Sequence, residues 1–221
     1  MSNSDSFLQI MRGGTTGLAT RRWAFGVLDE IAEGRGGVGA KRHPLGFVCL
    51  PIERQGRQGA CVHVWSDSLP RATPTTSIVH AHSWDLISYV LFGSVRNEVF
   101  DVTDAAERAM YRVFEIRSGG EVDEVHATSR LVRCEVAAAE VNHEGDGYTV
   151  PAGVFHATVT RGEAATVALG NHHPGTLDLS LGGIDTRTHR VRRQRCDRDE
   201  TAAVARMVVQ RLAHQEDRWR S

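Results

Sequence analysis

Two short segments carry the histidines best suited to metal chemistry. The first is the run His80–Asp85, and the second ends at His156 after a Pro-Ala-Gly turn. Because alternate residues of a strand point to the same face, His80 and His82 would present two imidazoles side by side. His156 would add a third from a distant strand. The pattern predicts a facial metal site with open positions, which suits non-haem iron and related metals.

Both segments resemble the motifs of the cupin superfamily, small β-barrels that hold a metal in the mouth. The first family motif is His-x-His, an acid three or four residues on, then a glycine. The second is a glycine, five residues, Pro-x-Gly, two residues and a histidine. The matching positions are His80, His82 and Gly93 in the first motif, and Gly145, Pro151, Gly153 and His156 in the second. The resemblance covers about residues 45–182 and implies an all-β fold, a cupin-type double-stranded β-helix or jelly-roll barrel. Hydrophobic periodicity adds N- and C-terminal helices outside it.

The chain departs from the family at the acid of the first motif. Aligned on Gly93, the position of the usual glutamate ligand falls on Leu86 or Ile87, and neither side chain can bind metal. Asp85 lies one residue earlier, where strand alternation would aim it at the opposite face. The site is therefore three histidines alone, or three histidines plus an Asp85 that reaches in from the turn. We expect instead that Asp85 orders the tight turn after His82.

A metal set of three histidines without the acid resembles the thiol dioxygenase branch of the cupins. That resemblance implies Fe(II) as the cofactor, with Zn(II) or Mn(II) as alternatives. It is incomplete, because the serine, histidine and tyrosine beside the iron of those enzymes fall here on Ala168, Gly170 and His172. Their substrate-gripping arginine has no counterpart between Phe47 and Leu50. We therefore expect a small polar substrate, amino-acid-like or a thiol, without identifying cysteine.

Several other polar and aromatic residues could line the pocket. Cys61, His63 and Trp65 alternate on the strand before the first motif. If that face looks inward, His63 and Trp65 line the pocket, and if it looks outward they cover the barrel against the N-terminal helix. Strand parity does not decide whether Tyr148, within the second motif, faces in. The candidate substrate-binding residues are His63, Trp65, Arg96 and His172, and the candidate catalytic residues are Asp85 and Tyr148.

Composition excludes several classes of function. The chain has 221 residues and a formal net charge of −1, so bulk electrostatics favours neither nucleic acid nor an anionic membrane as a partner. Four scattered cysteines without a C-x-x-C pair argue against a zinc knuckle or a disulfide framework and fit a reducing cytoplasm. They are Cys49, Cys61, Cys134 and Cys196. The N-terminus lacks the pattern of a signal peptide, so we expect a cytoplasmic protein.

Periodicity divides the chain into three parts. Residues 1–44 hold an arm and an amphipathic helix over 18–33, residues 45–182 hold the barrel, and residues 183–221 hold an arginine-rich segment and a helix over 199–219. Asp199 is the predicted N-cap of that last helix. About ten short strands are predicted between the helices, with residues 46–52 and 60–65 forming one hairpin and residues 85–92 and 95–102 another.

These features predict an enzyme. The leading hypothesis is a mononuclear Fe(II) oxygenase or dioxygenase acting on a small molecule. One alternative is a redox-neutral Zn or Mn cupin, an isomerase, lyase or bond-forming enzyme of small-molecule biosynthesis. Another is a ligand-binding cupin without catalysis. Because cupin sheet edges need cover, we also expect a homodimer in which the terminal helices cross to the neighbour.

Overall fold

The fold is an antiparallel β-barrel with one helix at each end of the chain. The computed structural model describes residues 17–105 and 107–220, with side chains to residue 214. The helices are α1 (Gly17–Ala32) and α2 (Arg198–Arg220). The strands are β1 (Lys41–Arg42), β2 (Val48–Gln55), β3 (Gln58–Trp65), β4 (His80–Ala81), β5 (Trp84–Phe92), β6 (Ser94–Asp104), β7 (Tyr111–Gly119), β8 (Val122–His143), β9 (Gly147–Val150), β10 (His156–Thr160), β11 (Ala164–His172), β12 (Asp178–Gly182), β13 (His189–Arg192) and β14 (Gln194–Arg195).

Two seven-stranded sheets form the barrel. The first has the order β14-β1-β2-β3-β11-β5-β9 and the second β13-β8-β6-β10-β4-β12-β7. The long strand β8 pairs with β7 along its first half and with β6 along its second, so the second sheet closes on itself. Two facing antiparallel sheets flanked by terminal helices confirm the predicted all-β, cupin-type jelly roll.

The structure corrects the hairpin predicted around Gly93. β5 pairs with β9 and β11 in the first sheet, whereas β6 pairs with β8 and β10 in the second. Gly93 turns the chain between the sheets with a φ of 75°. A Cβ at Gly93 would lie 2.2 Å from the carbonyl oxygen of Glu163. The glycine between two strands does mark a turn, as the sequence indicated, but the turn is a corner of the barrel and not a hairpin.

Both helices pack on the outer face of the first sheet. Trp23 and Leu28 of α1 and Val208 of α2 share one buried cluster with the outward-facing side chains of β2 and β3, among them Val62. Both helices therefore pack on the barrel of their own chain.

The N-cap of α2 lies two residues before the predicted one. Asp197 Oδ1 accepts a hydrogen bond of 2.8 Å from the backbone N–H of Glu200, and Glu200 Oε2 accepts one of 2.9 Å from the N–H of Asp197. This is a capping box, in which each side chain satisfies a backbone donor of the first turn. The prediction of Asp199 as N-cap is wrong, because the Asp-x-x-Glu pattern of the capping box falls on Asp197 and Glu200, and Asp199 lies inside the helix.

No helix among the described residues is both long enough and apolar enough to cross a membrane.

Candidate metal centre

Three imidazoles converge at one end of the barrel. His80 in β4 is the direct cross-strand partner of His156 in β10, and His82 follows β4 on the same face. The Nε2 atoms of His80 and His82 are 3.2 Å apart, and one nitrogen from each of the three rings lies within 4.8 Å of the others. Metal–nitrogen bonds of about 2.1 Å at right angles would place two ligand nitrogens about 3.0 Å apart. The spacing therefore fits a single divalent ion.

Backbone carbonyls fix which nitrogen of two rings is free to bind. The Nδ1–H of His80 donates to the carbonyl oxygen of Ile78 over 2.9 Å, and the Nδ1–H of His156 donates to that of Val154 over 3.1 Å. With Nδ1 protonated, the lone pair is on Nε2, the atom that faces the other rings. Such outer contacts are typical of metal-binding histidines, since they hold both ring and tautomer.

Electrostatics keeps the three rings neutral. Burial lowers the pKa of His80, His82 and His156, and for His80 and His82 the neighbouring imidazoles lower it further. A neutral imidazole is the form that coordinates metal. The three neutral imidazoles lie close together in a buried site, and a bound cation would stabilise them there. The donor set, its tautomers and its spacing thus fit a divalent metal held by these three histidines.

Aromatic packing and backbone hydrogen bonds hold His82. Its ring stacks on that of Trp84, with centroids 4.0 Å apart and planes 26° apart. Trp84 in turn lies over Gly170, where a Cβ would come within 2.8 Å of the indole. The carbonyl oxygen of His82 accepts a hydrogen bond of 2.9 Å from Gly153, so the Pro-Ala-Gly turn of the second motif is tied directly to the first.

Asp85 links the two motifs without joining the three-histidine cluster. Asp85 Oδ1 accepts a hydrogen bond of 2.9 Å from the N–H of Ala152, and Oδ2 accepts one of 2.6 Å from Nε2 of His173. The hydrogen bond from Ala152, and to a smaller extent that from His173, lowers the pKa of Asp85. Asp85 does order a turn, but it is the turn before His156 and not the one after His82. It lies outside the set of nitrogens that could share an ion.

The aromatic face of β3 looks into the barrel. Val62 and Val64 face the helices, so the alternating Cys61, His63 and Trp65 point inward. The rings of Phe47 and His63 lie 4.3 Å apart, and those of His63 and Trp65 lie 5.9 Å apart at 84°. Of the two orientations left open by the sequence, the structure therefore places His63 and Trp65 in the interior that holds the histidines.

Sequence reasoning did not identify two residues of this interior. His43 stacks on Phe47, with ring centroids 4.5 Å apart and planes 4° apart. Burial, aided by the nearby His63, lowers the pKa of His43 to about 3. Cys49 pairs across the β2–β3 hairpin with His63 and so also faces inward. Neither residue belongs to a motif, and only the strand register brings them here.

Tyr148 lies inside the barrel among polar side chains. It is 9% exposed and packs with Val90 and Val95. Burial raises the pKa of its hydroxyl, against the hydrogen-bonding influence of Ser88, Asn97 and Thr166. Asn97 also accepts a hydrogen bond of 2.8 Å from Thr158, two residues after His156 in β10. Tyr148 therefore lies one layer deeper than the three histidines.

The remaining two candidates lie outside this interior. Arg96 is exposed on β6 and forms an ion pair of 2.8 Å with Glu98. His172 is exposed at the end of β11, where its Nδ1 lies 3.2 Å from the hydroxyl of Ser83. The structure thus places His172 at the rim of the first motif and Arg96 on the outer surface.

Comparison with known proteins yields only distant likenesses. No family model matches the sequence, and no curated protein matches it. Among solved structures, an RmlC-like cupin from Shewanella frigidimarina is 14% identical, with a TM-score of 0.35 over 63% of this chain and 87% of that one. Hydroxypropylphosphonic acid epoxidase from S. wedmorenis is 12% identical, with a TM-score of 0.36 over 61% and 55%. A hydroquinone 1,2-dioxygenase in complex with Cd²⁺ and 4-hydroxybenzonitrile is 14% identical, with a TM-score of 0.37 over 70% and 76%.

The chain's own strand order and its three converging histidines define the barrel type. Two antiparallel sheets enclose the interior, and both histidine motifs meet at one end of it, as the cupin resemblance implied. The protein is a cupin-type barrel with a three-histidine site suited to a divalent metal.

Proposed function

We propose that the protein is a mononuclear non-haem Fe(II) oxygenase or dioxygenase acting on a small polar molecule. The observation that carries this proposal is the convergence of three imidazole nitrogens, with the tautomers of His80 and His156 fixed by Nδ1–H bonds to backbone carbonyls. Ferrous iron bound by three neutral ligands would keep its full positive charge and leave positions at which dioxygen and substrate could meet.

The chain's own residues would confine and orient the substrate. Phe47, His63 and Trp65 form one wall of the interior, and Trp84 holds His82 from the other side. Aromatic walls exclude water, which strengthens the electrostatic interactions inside. The substrate-binding roles of His63 and Trp65 are part of this proposal, and the rings of these two side chains would pack against the substrate.

Tyr148 and Asp85 are proposed to hold other residues of the site in place and not to contact the reacting atoms. The raised pKa of Tyr148 keeps its hydroxyl protonated near neutral pH, so it would hold the layer beneath the histidines as a hydrogen-bond donor. Asp85 would hold the turn that leads to His156. His172, at the rim beside Ser83, is the remaining candidate for contact with an entering substrate.

The alternative is a redox-neutral Zn or Mn enzyme. Three protein ligands with an open fourth position also form the usual catalytic zinc set, in which the metal serves as a Lewis acid. A barrel that only binds a ligand is the third possibility. Metal identity and oxygen consumption separate the three hypotheses.

The test is an oxygen-uptake screen on protein purified anaerobically and loaded with ferrous iron. Amino acids and small thiols are supplied one at a time, and the His156→Ala variant is the control for uptake that does not need the site. The proposal predicts substrate-dependent uptake in the wild type that the variant lacks. Zinc or manganese in the native protein, with turnover that consumes no oxygen, would favour the alternative.

We also propose a homodimer. Over residues 133–143, β8 pairs with β6 along one edge, and no strand among the described residues pairs with its other edge. Val136 and Val141 lie in this segment and are 54% and 47% exposed. An unpaired apolar edge is the surface that a second copy would cover. Light scattering at micromolar concentration should give twice the chain mass, and a monomer would refute the proposal.

A further inference from the structure

A second cluster of metal-binding side chains lies on the inner face of the β2–β3 hairpin. The sulfurs of Cys49 and Cys61 and a ring nitrogen of His63 all lie within 4.8 Å of one another. The Sγ of Cys61 is 3.1 Å from Nε2 of His63, and all three residues are partly buried. None of these atoms belongs to the three-histidine cluster. Cys49 and Cys61 are 12 residues apart in the sequence, and the structure brings them together.

A β-bulge creates the cluster. At the turn, Gln55 pairs with Gln58, but the register shifts by one residue between Pro51 and Glu53. Beyond the shift, Cys49 pairs directly with His63. Without the extra residue, Cys49 would pair with Val64 and would face the helices, because a one-residue slip exchanges the faces of a strand. The bulge thus aims the first thiol at the other two ligands.

The placement of the thiols suits a shared cation better than a disulfide. Cys61 pairs with Pro51, so Cys49 and Cys61 are diagonal neighbours across the hairpin. Diagonal positions are about 7–8 Å apart, at or beyond the Cα separation of about 4.4–6.8 Å that disulfides need. A tetrahedral zinc ion with sulfur bonds of about 2.3 Å would hold two sulfurs about 3.8 Å apart. That separation lies within the observed spread of the cluster.

We propose that Cys49, Cys61 and His63 form a second metal site, selective for a thiophilic cation and specifically Zn(II). Two thiolates would neutralise the charge of the ion within the barrel, and the imidazole would supply the third ligand. A fourth position would stay open to water or to a small ligand. Thiolate donors favour zinc, whereas the all-imidazole set also accommodates iron. The two sites would therefore bind different metals, and the zinc site stands whether or not the proposed oxygenase activity exists.

The experiment titrates reduced protein with Co(II), the visible stand-in for Zn(II), under anaerobic conditions. Thiolate ligation gives an intense sulfur-to-cobalt charge-transfer absorption that an all-histidine site cannot give. We expect this absorption in the wild type and its loss when Zn(II) is added, since thiolate ligands favour zinc. We expect it to disappear in Cys49→Ser/Cys61→Ser and to persist in Cys134→Ser, the matched control. It should also persist in His156→Ala, which disrupts only the first site.

A second measurement on the wild type guards against a variant that fails to fold. Zn(II) should protect Cys49 and Cys61, but not Cys134, from alkylation when the modified peptides are identified by mass spectrometry. The proposal is overturned if the wild type shows no charge-transfer absorption, or if the absorption survives loss of both thiols. Equal alkylation of all three cysteines with and without zinc would also overturn it, as would a Cys49–Cys61 disulfide in protein kept anaerobic throughout.

Discussion

Replacing Asp85 tests whether this carboxylate positions the turn before His156 or binds the metal. Asp85→Ala removes two acceptors, one for the N–H of Ala152 and one for His173. A hydrogen bond to a charged group contributes about 1.5–3 kcal/mol. The Asp85 side chain is 40% exposed, so solvent screening reduces the pair with His173 to less than about 1 kcal/mol. We therefore expect the free energy of unfolding to fall by about 2 kcal/mol.

Asp85→Asn should cost about half as much. Its amide keeps an oxygen that accepts from Ala152 but loses the charge and the second acceptor, to which His173 donates. In a chain of this size, a loss of 1 kcal/mol lowers the melting temperature by about 2–4 °C. Urea unfolding and calorimetry measure both variants. Asp101→Asn and Asp101→Ala, at an exposed acid of β6, are the controls and should change stability by less than about 0.5 kcal/mol.

The pH dependence gives the prediction a second signature. Because the pKa of Asp85 is lowered on folding, its contribution is fully present above the ordinary value of about 3.9 and is lost as pH falls through the folded value. The difference between wild type and Asp85→Ala should therefore shrink at acid pH. Metal content at saturation should match the wild type. Loss of the metal in Asp85→Asn, with stability unchanged, would refute this reasoning and identify Asp85 as a ligand.

Two further predictions concern the barrel. Gly93→Ala should lower the free energy of unfolding, measured in urea, by more than about 2 kcal/mol. The alanine would have to adopt a positive φ, and its Cβ would clash with the carbonyl oxygen of Glu163. Gly175 also has a positive φ, of 83°, but a Cβ there would meet no other atom, so Gly175→Ala should lose only the stability that the positive φ costs. Equal losses of stability in the two variants would show that the contact with Glu163 contributes nothing. Burial, and to a smaller extent His63, lowers the pKa of His43 to about 3, so about 2 kcal/mol of folding stability should be lost as pH falls from 6.5 to 4.5. His43→Phe should reduce the pH dependence of stability without abolishing it, since three other buried histidines remain, and an unchanged slope would contradict the assignment.

The motifs predicted the metal ligands because spacing along a strand carries the geometry. His80 and His82 must share a face wherever their strand lies, and the Pro-Ala-Gly turn delivers His156 to that face. The predicted barrel and its terminal helices followed from short strands bounded by turn residues, together with two amphipathic segments. These features depend on the pattern of apolar and turn-forming residues over short segments, and this pattern can be read directly from a sequence.

The second cluster could not be predicted, because it depends on register. The bulge at Ile52 decides whether Cys49 faces the barrel or the helices, and residues near a bulge give no sequence signal strong enough to locate it. The role of Gly93 was missed for a similar reason. A glycine with positive φ suits a hairpin turn and a barrel corner equally well, and only the pairing of β5 and β6 with different sheets distinguishes them.

Ferrous ion binding tests the three-histidine site most directly when the thiols are absent. Protein carrying Cys49→Ser/Cys61→Ser is loaded anaerobically with iron, desalted and analysed for metal, beside the same protein with His156→Ala added. The structure predicts about one iron per chain in the first protein and almost none in the second, with both giving the same β-rich circular dichroism. Full retention of iron after removal of His156 would contradict the assignment of the metal site.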